Sequence, residues 1–317
     1  MIDSQTIRKA AERIQSNIRE TPFIKSKAFS EITDAEVWFK LENLQVTGSF
    51  KARGAVNKLL SLTEKEKFAG VISASTGNHG AAVAYASDQL SIECTIYTPE
   101  DASEAKLENM KQFGARIIVH GDDSIKAEAE ARKISLKTGK TYVSPYNDTK
   151  VIIGQGTLGV EIESQCDGLD TIIIAVGGGG LIGGTATYLK SIWPNLSVMA
   201  CSPKNSAVMI HSLKAGKVLG LESKPTLSDG TAGGVELDSV TFPICQHVID
   251  ETVLVTERQI KEAMITYIKK EHQLLEGAAG TAVAALLKKK IDLKNQRVGV
   301  VICGGNIGIE TIREVLN

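Results

Sequence analysis

Short runs rich in β-branched residues recur along the chain, each followed by a longer stretch with apolar residues at three- and four-residue spacing. That alternation predicts strands joined by helical crossovers, and so an α/β protein with mostly parallel sheets. Three units are clearest. Gly70 to Ala74 leads into Ser75-Thr76-Gly77-Asn78-His79-Gly80 and an apolar helix around Val83; Thr171 to Val176 leads into Gly177-Gly178-Gly179-Gly180 and a helix to Leu189. Val298 to Ile302 leads into Cys303-Gly304-Gly305-Asn306 and a final helix. Each unit sets backbone N–H groups and small side chains at the C-terminal edge of a sheet, where ligands bind in open α/β folds.

Between the first two units, Ile92 to Tyr97 and Ala115 to Val119 read as strands separated by a helix from Ser103 to Phe113. Residues 73–149 are therefore expected to form a small open-sheet domain. Residues 1–72 and 150–317, with long helices near Glu257 to Lys270 and Gly277 to Lys289, are expected to form a large domain, with the ligand in the cleft between them. At the start, Asp3-Ser4 followed by Ile7, Ala10, Ala11, Ile14 and Ile18 reads as a capped amphipathic helix, not as a secretory signal. The uncharged stretch from Thr171 to Leu189 raises the question of a membrane helix. Glycines at 177–180, 183 and 184 answer it, because each costs a helix interior roughly 1 kcal/mol.

Length and composition agree with this picture: 317 residues, 43% hydrophobic and 23% charged, suffice for a substantial core. A formal net charge of -1, with basic residues spread along the chain, leaves no electrostatic footprint for nucleic acid or an anionic membrane. Small-molecule chemistry is the expectation. The five cysteines include no C-x-x-C pair, and the five histidines show no ligand spacing, so neither a disulfide framework nor a metal is expected. A reducing cytoplasm fits that cysteine usage.

Two features carry candidate chemistry. Lys51 falls in the first turn of a helix whose apolar face is Ala55, Val56, Leu59 and Leu60. A helix N-terminus disfavours an ammonium, and a dry site would lower the pKa further, as Schiff-base chemistry requires. The four glycines from Gly177, before Leu181, let successive N–H groups converge on a phosphate without any Cβ in the way. A dinucleotide reading of Gly178-x-Gly180-x-x-Gly183 requires an acidic residue about 20 positions later to hold the ribose. None occurs between Asp170 and Glu222, and no G-x-x-x-x-G-K-[ST] loop is present.

Taken together, the Lys51 segment, the 75–80 motif, Gly154-Gln155-Gly156-Thr157, the Gly177 to Leu181 turn and Cys303-Gly304-Gly305-Asn306 resemble the serine/threonine dehydratase and serine racemase family. These are pyridoxal-phosphate enzymes of fold type II, similar in architecture to the tryptophan synthase β-subunit. The resemblance implies two open twisted sheets, mostly parallel and flanked by helices. It implies that Lys51 carries the cofactor as a Schiff base, that Phe50 covers one ring face, and that Asn78 bonds the ring hydroxyl. Gly177, Gly178, Gly179 and Gly180, with Leu181, would cradle the phosphate; Ser75, Thr76, Gly77, Asn78 and His79, with Gln155, would take the substrate carboxylate. Cys303 falls where the family places a Ser or Cys beside the pyridine nitrogen, and Glu276 would lie near the ring.

The activity so implied is β-elimination of water from L-threonine or L-serine, yielding a 2-oxo acid and ammonia. Lys51 would act as base, in a cytoplasmic homodimer acting on a small amino acid. Ser75 stands where racemases keep their second acid/base, so serine or aspartate racemisation stays open, as does dehydration of 3-hydroxyaspartate, phenylserine or a hydroxyectoine-derived amino acid. Against racemisation, Ala127 falls where mammalian serine racemases carry a substrate-gripping arginine. Ala200 to Val208 offers no carboxylate for the divalent cation that many relatives bind. The chain closes at Asn317, so the regulatory domain through which isoleucine inhibits the biosynthetic relatives is not expected.

Overall fold

The computed structural model describes residues 2–100, 102 and 104–317, and among them are ten strands. In chain order these are β1 (Phe23–Lys25), β2 (Glu36–Leu41), β3 (Val71–Ala74), β4 (Cys94–Thr98), β5 (Arg116–Val119), β6 (Thr141–Tyr142), β7 (Thr171–Ala175), β8 (Ser197–Pro203), β9 (Glu251–Val255) and β10 (Arg297–Ile302). They form a six-stranded sheet, ordered β1-β2-β10-β7-β8-β9, and a four-stranded sheet, ordered β5-β4-β3-β6. All pairings are parallel except β1 with β2. The architecture is thus the expected pair of mostly parallel sheets flanked by helices.

Why the central strands are so apolar follows from their position. Ile172, Ile173 and Ile174 of β7 and Val298, Val300, Val301 and Ile302 of β10 are all fully buried. Helices cover both faces of a parallel sheet, so such strands read as continuous apolar runs without alternation. The C-terminal ends of β3, β7 and β10 carry the Ser75 loop, the glycine turn and Cys303, and the three ends face a common cleft.

Local chemistry sets the element boundaries. Asp3 caps the first helix, Ser4–Ile14, through a reciprocal capping box with Thr6. The strand expected from Ile92 begins at Cys94, because Ile92 N donates to Ser87 O at 2.9 Å and Ser91 takes φ +53° to close the preceding helix. The helix expected over 103–113 is observed as Glu104–Lys111, and Ser103 lies outside the described residues. The last helix starts only at Ile309. Residues 303–306 are held instead by the Lys51 segment: Phe50 N donates to Cys303 O at 3.0 Å, Gly305 N to Gly48 O at 2.9 Å, and Ser49 bridges Gly304. Gly48, at φ +71°, permits the sharp turn just before Lys51.

Two helices, Thr149–Gln165 and Gly180–Ile192, cross in backbone contact at Gly156 and Gly184. A Cβ at Gly184 would overlap the Ile152 carbonyl oxygen and meet Gly156 N at 2.7 Å. That crossing fixes the helix that grows from the glycine turn. Gly184→Ala is expected to destabilise the chain by about 1–3 kcal/mol, the usual cost of overpacking. Urea unfolding measures it, and an unchanged midpoint would contradict the close approach.

Candidate active site

A cavity of about 650 Å³ opens where the ends of β3, β7 and β10 meet. Its lining includes Phe50 and Lys51, all of residues 75–79, Gly177 to Leu181, Glu276 and Cys303. Of the residues singled out from the sequence, Gln155 alone is not brought there. It lies buried beneath the Lys51–Leu60 helix, where its Oε1 accepts from Gly54 N at 3.0 Å.

Lys51 is the first residue of that helix. Its amine donates to the Pro145 carbonyl at 2.8 Å and lies 5.2 Å from the centre of the Phe50 ring. Lys51 is partly exposed, toward the cavity it lines. Removal from bulk water pulls its pKa down from 10.5 to about 8, against the opposing pull of Cys303 and Glu276. The amine is therefore partly neutral near neutral pH, as a nucleophile or base must be.

Across the cavity the glycine turn presents backbone. Gly179 takes φ +87° and precedes the Gly180–Ile192 helix, whose first N–H groups have no partner within the helix. The turn's carbonyls are tied off: Thr241 Oγ1 donates to Gly178 O at 2.6 Å, and Cys245 Sγ to Gly179 O at 3.7 Å. Side chains are excluded on steric grounds, since a Cβ at Gly177 would meet Thr231 O at 2.8 Å and one at Gly178 would strike the Tyr146 ring. Oriented N–H groups with no Cβ above them suit a phosphate.

The third side is polar and buried. Asn78 Nδ2 donates to both Glu276 oxygens at 3.0 and 2.8 Å, while Asn306 Nδ2 donates to Asn78 Oδ1 at 2.7 Å. Cys303 Sγ lies 3.8 Å from Glu276 Oε1. Burial lifts the Glu276 carboxyl to about 7 and the Cys303 thiol well above its usual 9.0. His79 donates from Nε2 to Val143 O at 2.9 Å and keeps Nδ1 unpartnered. Burial, helped by the Lys51 charge, drops its pKa to about 3, so it is neutral. Ser75 Oγ accepts from Gly77 N at 3.2 Å and shapes the loop.

Pro145, Tyr146 and Thr231 also line the cavity, although none is among the residues expected there from the sequence. Ser144-Pro145-Tyr146-Asn147-Asp148 does carry a signal, a proline turn ending in an Asp that caps the Thr149–Gln165 helix. Nothing local shows that the turn faces Lys51. Ala127 is buried against Ala131, Ile72 and Tyr97 and lines no part of the cavity. Among the described lining residues, Lys51 and His79 are the basic side chains, and no arginine is present.

An amine withdrawn from bulk water yet open to the cavity, a side-chain-free phosphate cradle, an aromatic neighbour and a weakly acidic far wall together fit pyridoxal phosphate. Comparison with known proteins agrees: residues 14–304 match the model of the pyridoxal-phosphate dependent enzyme family. The chain belongs to that family, and its fold is fold type II. It is 38% identical over 317 residues to the L-threonine ammonia-lyase of Thermotoga maritima, covering 100% of this chain and 79% of that protein. It is likewise 38% identical to the serine racemase of Dictyostelium discoideum, over 98% of this chain and 97% of the relative. The solved structure of maize serine racemase superposes with a TM-score of 0.94 at 30% identity, covering 99% of this chain and 97% of that one.

Because the Lys51 pKa is near 8, the neutral fraction of its amine rises about tenfold from pH 7 to pH 9 and then levels off. The rate at which pyridoxal phosphate is fixed to the cofactor-stripped chain by borohydride is expected to follow that curve. A solvated lysine would instead give about a hundredfold rise with no plateau below pH 10.

Proposed function

We propose that this enzyme is an ammonia-lyase that converts L-threonine, L-serine or both to a 2-oxo acid and ammonia by β-elimination. The observation that carries the reading is one cavity that holds a lysine amine of depressed pKa, a glycine phosphate cradle and the donor-rich 75–79 loop. Its relatives in Thermotoga maritima and Dictyostelium discoideum are named for threonine elimination and serine racemisation. Bound pyridoxal phosphate supplies an electron sink that makes the substrate Cα proton acidic.

The chain's own residues do the rest. Lys51 would hold the cofactor covalently, and its amine, once released, would accept the substrate Cα proton as base. Backbone and side-chain donors of residues 75–79 hold the substrate carboxylate. Phe50 and Asn78 would hold the cofactor ring, Asn78 by exchanging one of its present hydrogen bonds to Glu276 or Asn306, and Gly177 to Leu181 would hold the phosphate. Cys303 as a neutral thiol, and Glu276 as a carboxyl only partly ionised near pH 7, would face the ring edge, which favours loss of the β-hydroxyl as water with the Cα proton over a long-lived carbanion. The enamine released by water loss hydrolyses to oxo acid and ammonia.

The absence of an arginine among the described lining residues, beside Asp229 and Glu276, favours a neutral substrate side chain over a second carboxylate. That ranks threonine and serine above 3-hydroxyaspartate. Racemisation is the second reading, favoured by Ser75 lining the same cavity as Lys51. We further assign residues 1–72 with 150–317 to a large domain and 73–149 to a small mobile one, in a cytoplasmic homodimer. Among the described residues, no helix is long and apolar enough to cross a membrane.

Lys51→Ala is expected to lower oxo-acid release from L-threonine by at least about a thousandfold, since both the covalent link and the base are lost. Retained turnover would overturn the assignment. Ser75→Ala should keep oxo-acid formation within about tenfold while abolishing any D-serine made from L-serine. Chiral chromatography of the residual serine decides between elimination alone and elimination with racemisation.

A further inference from the structure

Two residues beyond Lys51, Arg53 is wholly buried. At 100° per residue it points some 200° around the helix from Lys51, away from the cavity. Its Nε and Nη2 donate to the two oxygens of Glu42 at 2.8 and 2.7 Å; Nη1 and Nη2 donate to the two oxygens of Glu161, both at 2.7 Å. Lys40, also buried, donates to Glu161 at 2.6 Å and to Thr21 O at 2.6 Å. Two cations face two carboxylates, so the cluster is neutral as a whole.

We propose that Arg53, Glu161 and Gln155 are positioning residues for Lys51, acting on the first turn of its helix from the side opposite the cavity. The inference rests on the reading of Lys51 given above. Glu42 belongs to the turn just upstream of the Lys51 segment, and Glu161 and Gln155 to the Thr149–Gln165 helix. A planar guanidinium engaged by two forks fixes both the place and the rotation of the backbone that bears it. Buried ion clusters are commonly no more stabilising than well-packed apolar side chains, so stability alone does not account for three buried charges and a fourth, Glu161, largely withdrawn from solvent. Geometry does.

Gln155 provides the second restraint. Phe50 O, the usual partner of Gly54 N, takes the Arg53 N–H at 3.1 Å, and Gln155 Oε1 accepts from Gly54 N. The amide Nε2 is left buried with no partner, a cost accepted for that one acceptor. The helices touch through backbone as well, since a Cβ at Gly154 would meet Arg53 O at 2.6 Å and Gly54 Cα at 2.7 Å. Slack in this turn would displace the Lys51 amine and admit water to it. The carboxylate donors, on the loop after β3, would be untouched.

The test compares full-length wild type, Arg53→Lys and Gln155→Met. Arg53→Lys keeps the charge and loses the forks. Gln155→Met removes the acceptor and the unpaired donor together, so it leaves no new buried polar group on its own side chain and decides the matter if Arg53→Lys does not fold. Three readouts are taken: kcat and KM for L-threonine, the thermal midpoint, and the pH profile of borohydride fixation of pyridoxal phosphate at residue 51. The expected result is a kcat lowered about tenfold or more, KM within about twofold, and a fixation midpoint moved above pH 8 toward that of an ordinary lysine. An active wild type beside a Gln155→Met variant with unchanged kcat and fixation profile overturns this inference alone. A rise in KM that accounts for the whole loss also overturns it, and a wild type that neither takes label nor turns over overturns both readings.

Discussion

Keeping one lysine amine out of bulk water is the constraint around which the chain is arranged. An ammonium is costly to desolvate, and that cost is what brings the Lys51 pKa to about 8. The neighbours that would restore the charge, Glu276 and Cys303, are themselves buried and held toward their neutral forms. A carboxylate left ionised at that wall would pull Lys51 back toward its usual pKa. The amine, the carboxyl and the thiol thus form one electrostatic unit, in which each group's burial keeps the others weakly charged. The Pro145 carbonyl gives the amine a neutral partner, which holds it in place without protonating it.

Topology brings the unit together. Parallel strands end on the same edge of their sheet, so β7 and β10 deliver the glycine turn and Cys303 side by side. The Ser75 loop arrives from the other sheet, at the end of β3. The Lys51 segment belongs to neither strand set; it is stitched to the end of β10 by Phe50 N on Cys303 O and Gly305 N on Gly48 O. That stitching explains why the chain after Cys303 does not enter a helix at once.

Much of this was legible in the sequence. Uninterrupted apolar runs such as 171–176 and 298–302 announce buried parallel strands, and glycines directly after them announce a ligand edge. The amphipathic helix bearing Lys51 is equally plain, with Ala55, Val56 and Leu59 buried as their spacing requires. What was hidden depends on contacts distant along the chain. Gln155 looks like a ligand donor from its motif, yet its side chain is turned to Gly54, about a hundred residues upstream. Pro145 and Tyr146 read as an ordinary turn, because no local pattern reports that a carbonyl 94 residues away will meet Lys51. The Arg53 cluster is invisible for the same reason: its members, at 40, 42, 53 and 161, are drawn together only where β2 and the turn after it meet two packed helices.

Among the described residues, Lys51 is the one we propose to be dry enough, and near enough to the glycine cradle, to bond pyridoxal phosphate. Peptide mapping by mass spectrometry of the borohydride-reduced holoenzyme tests this directly. The expected result is a single phosphopyridoxyl adduct, on the peptide that contains Lys51, at close to one per chain. An adduct spread over several surface lysines, or a chain that carries none, would contradict it.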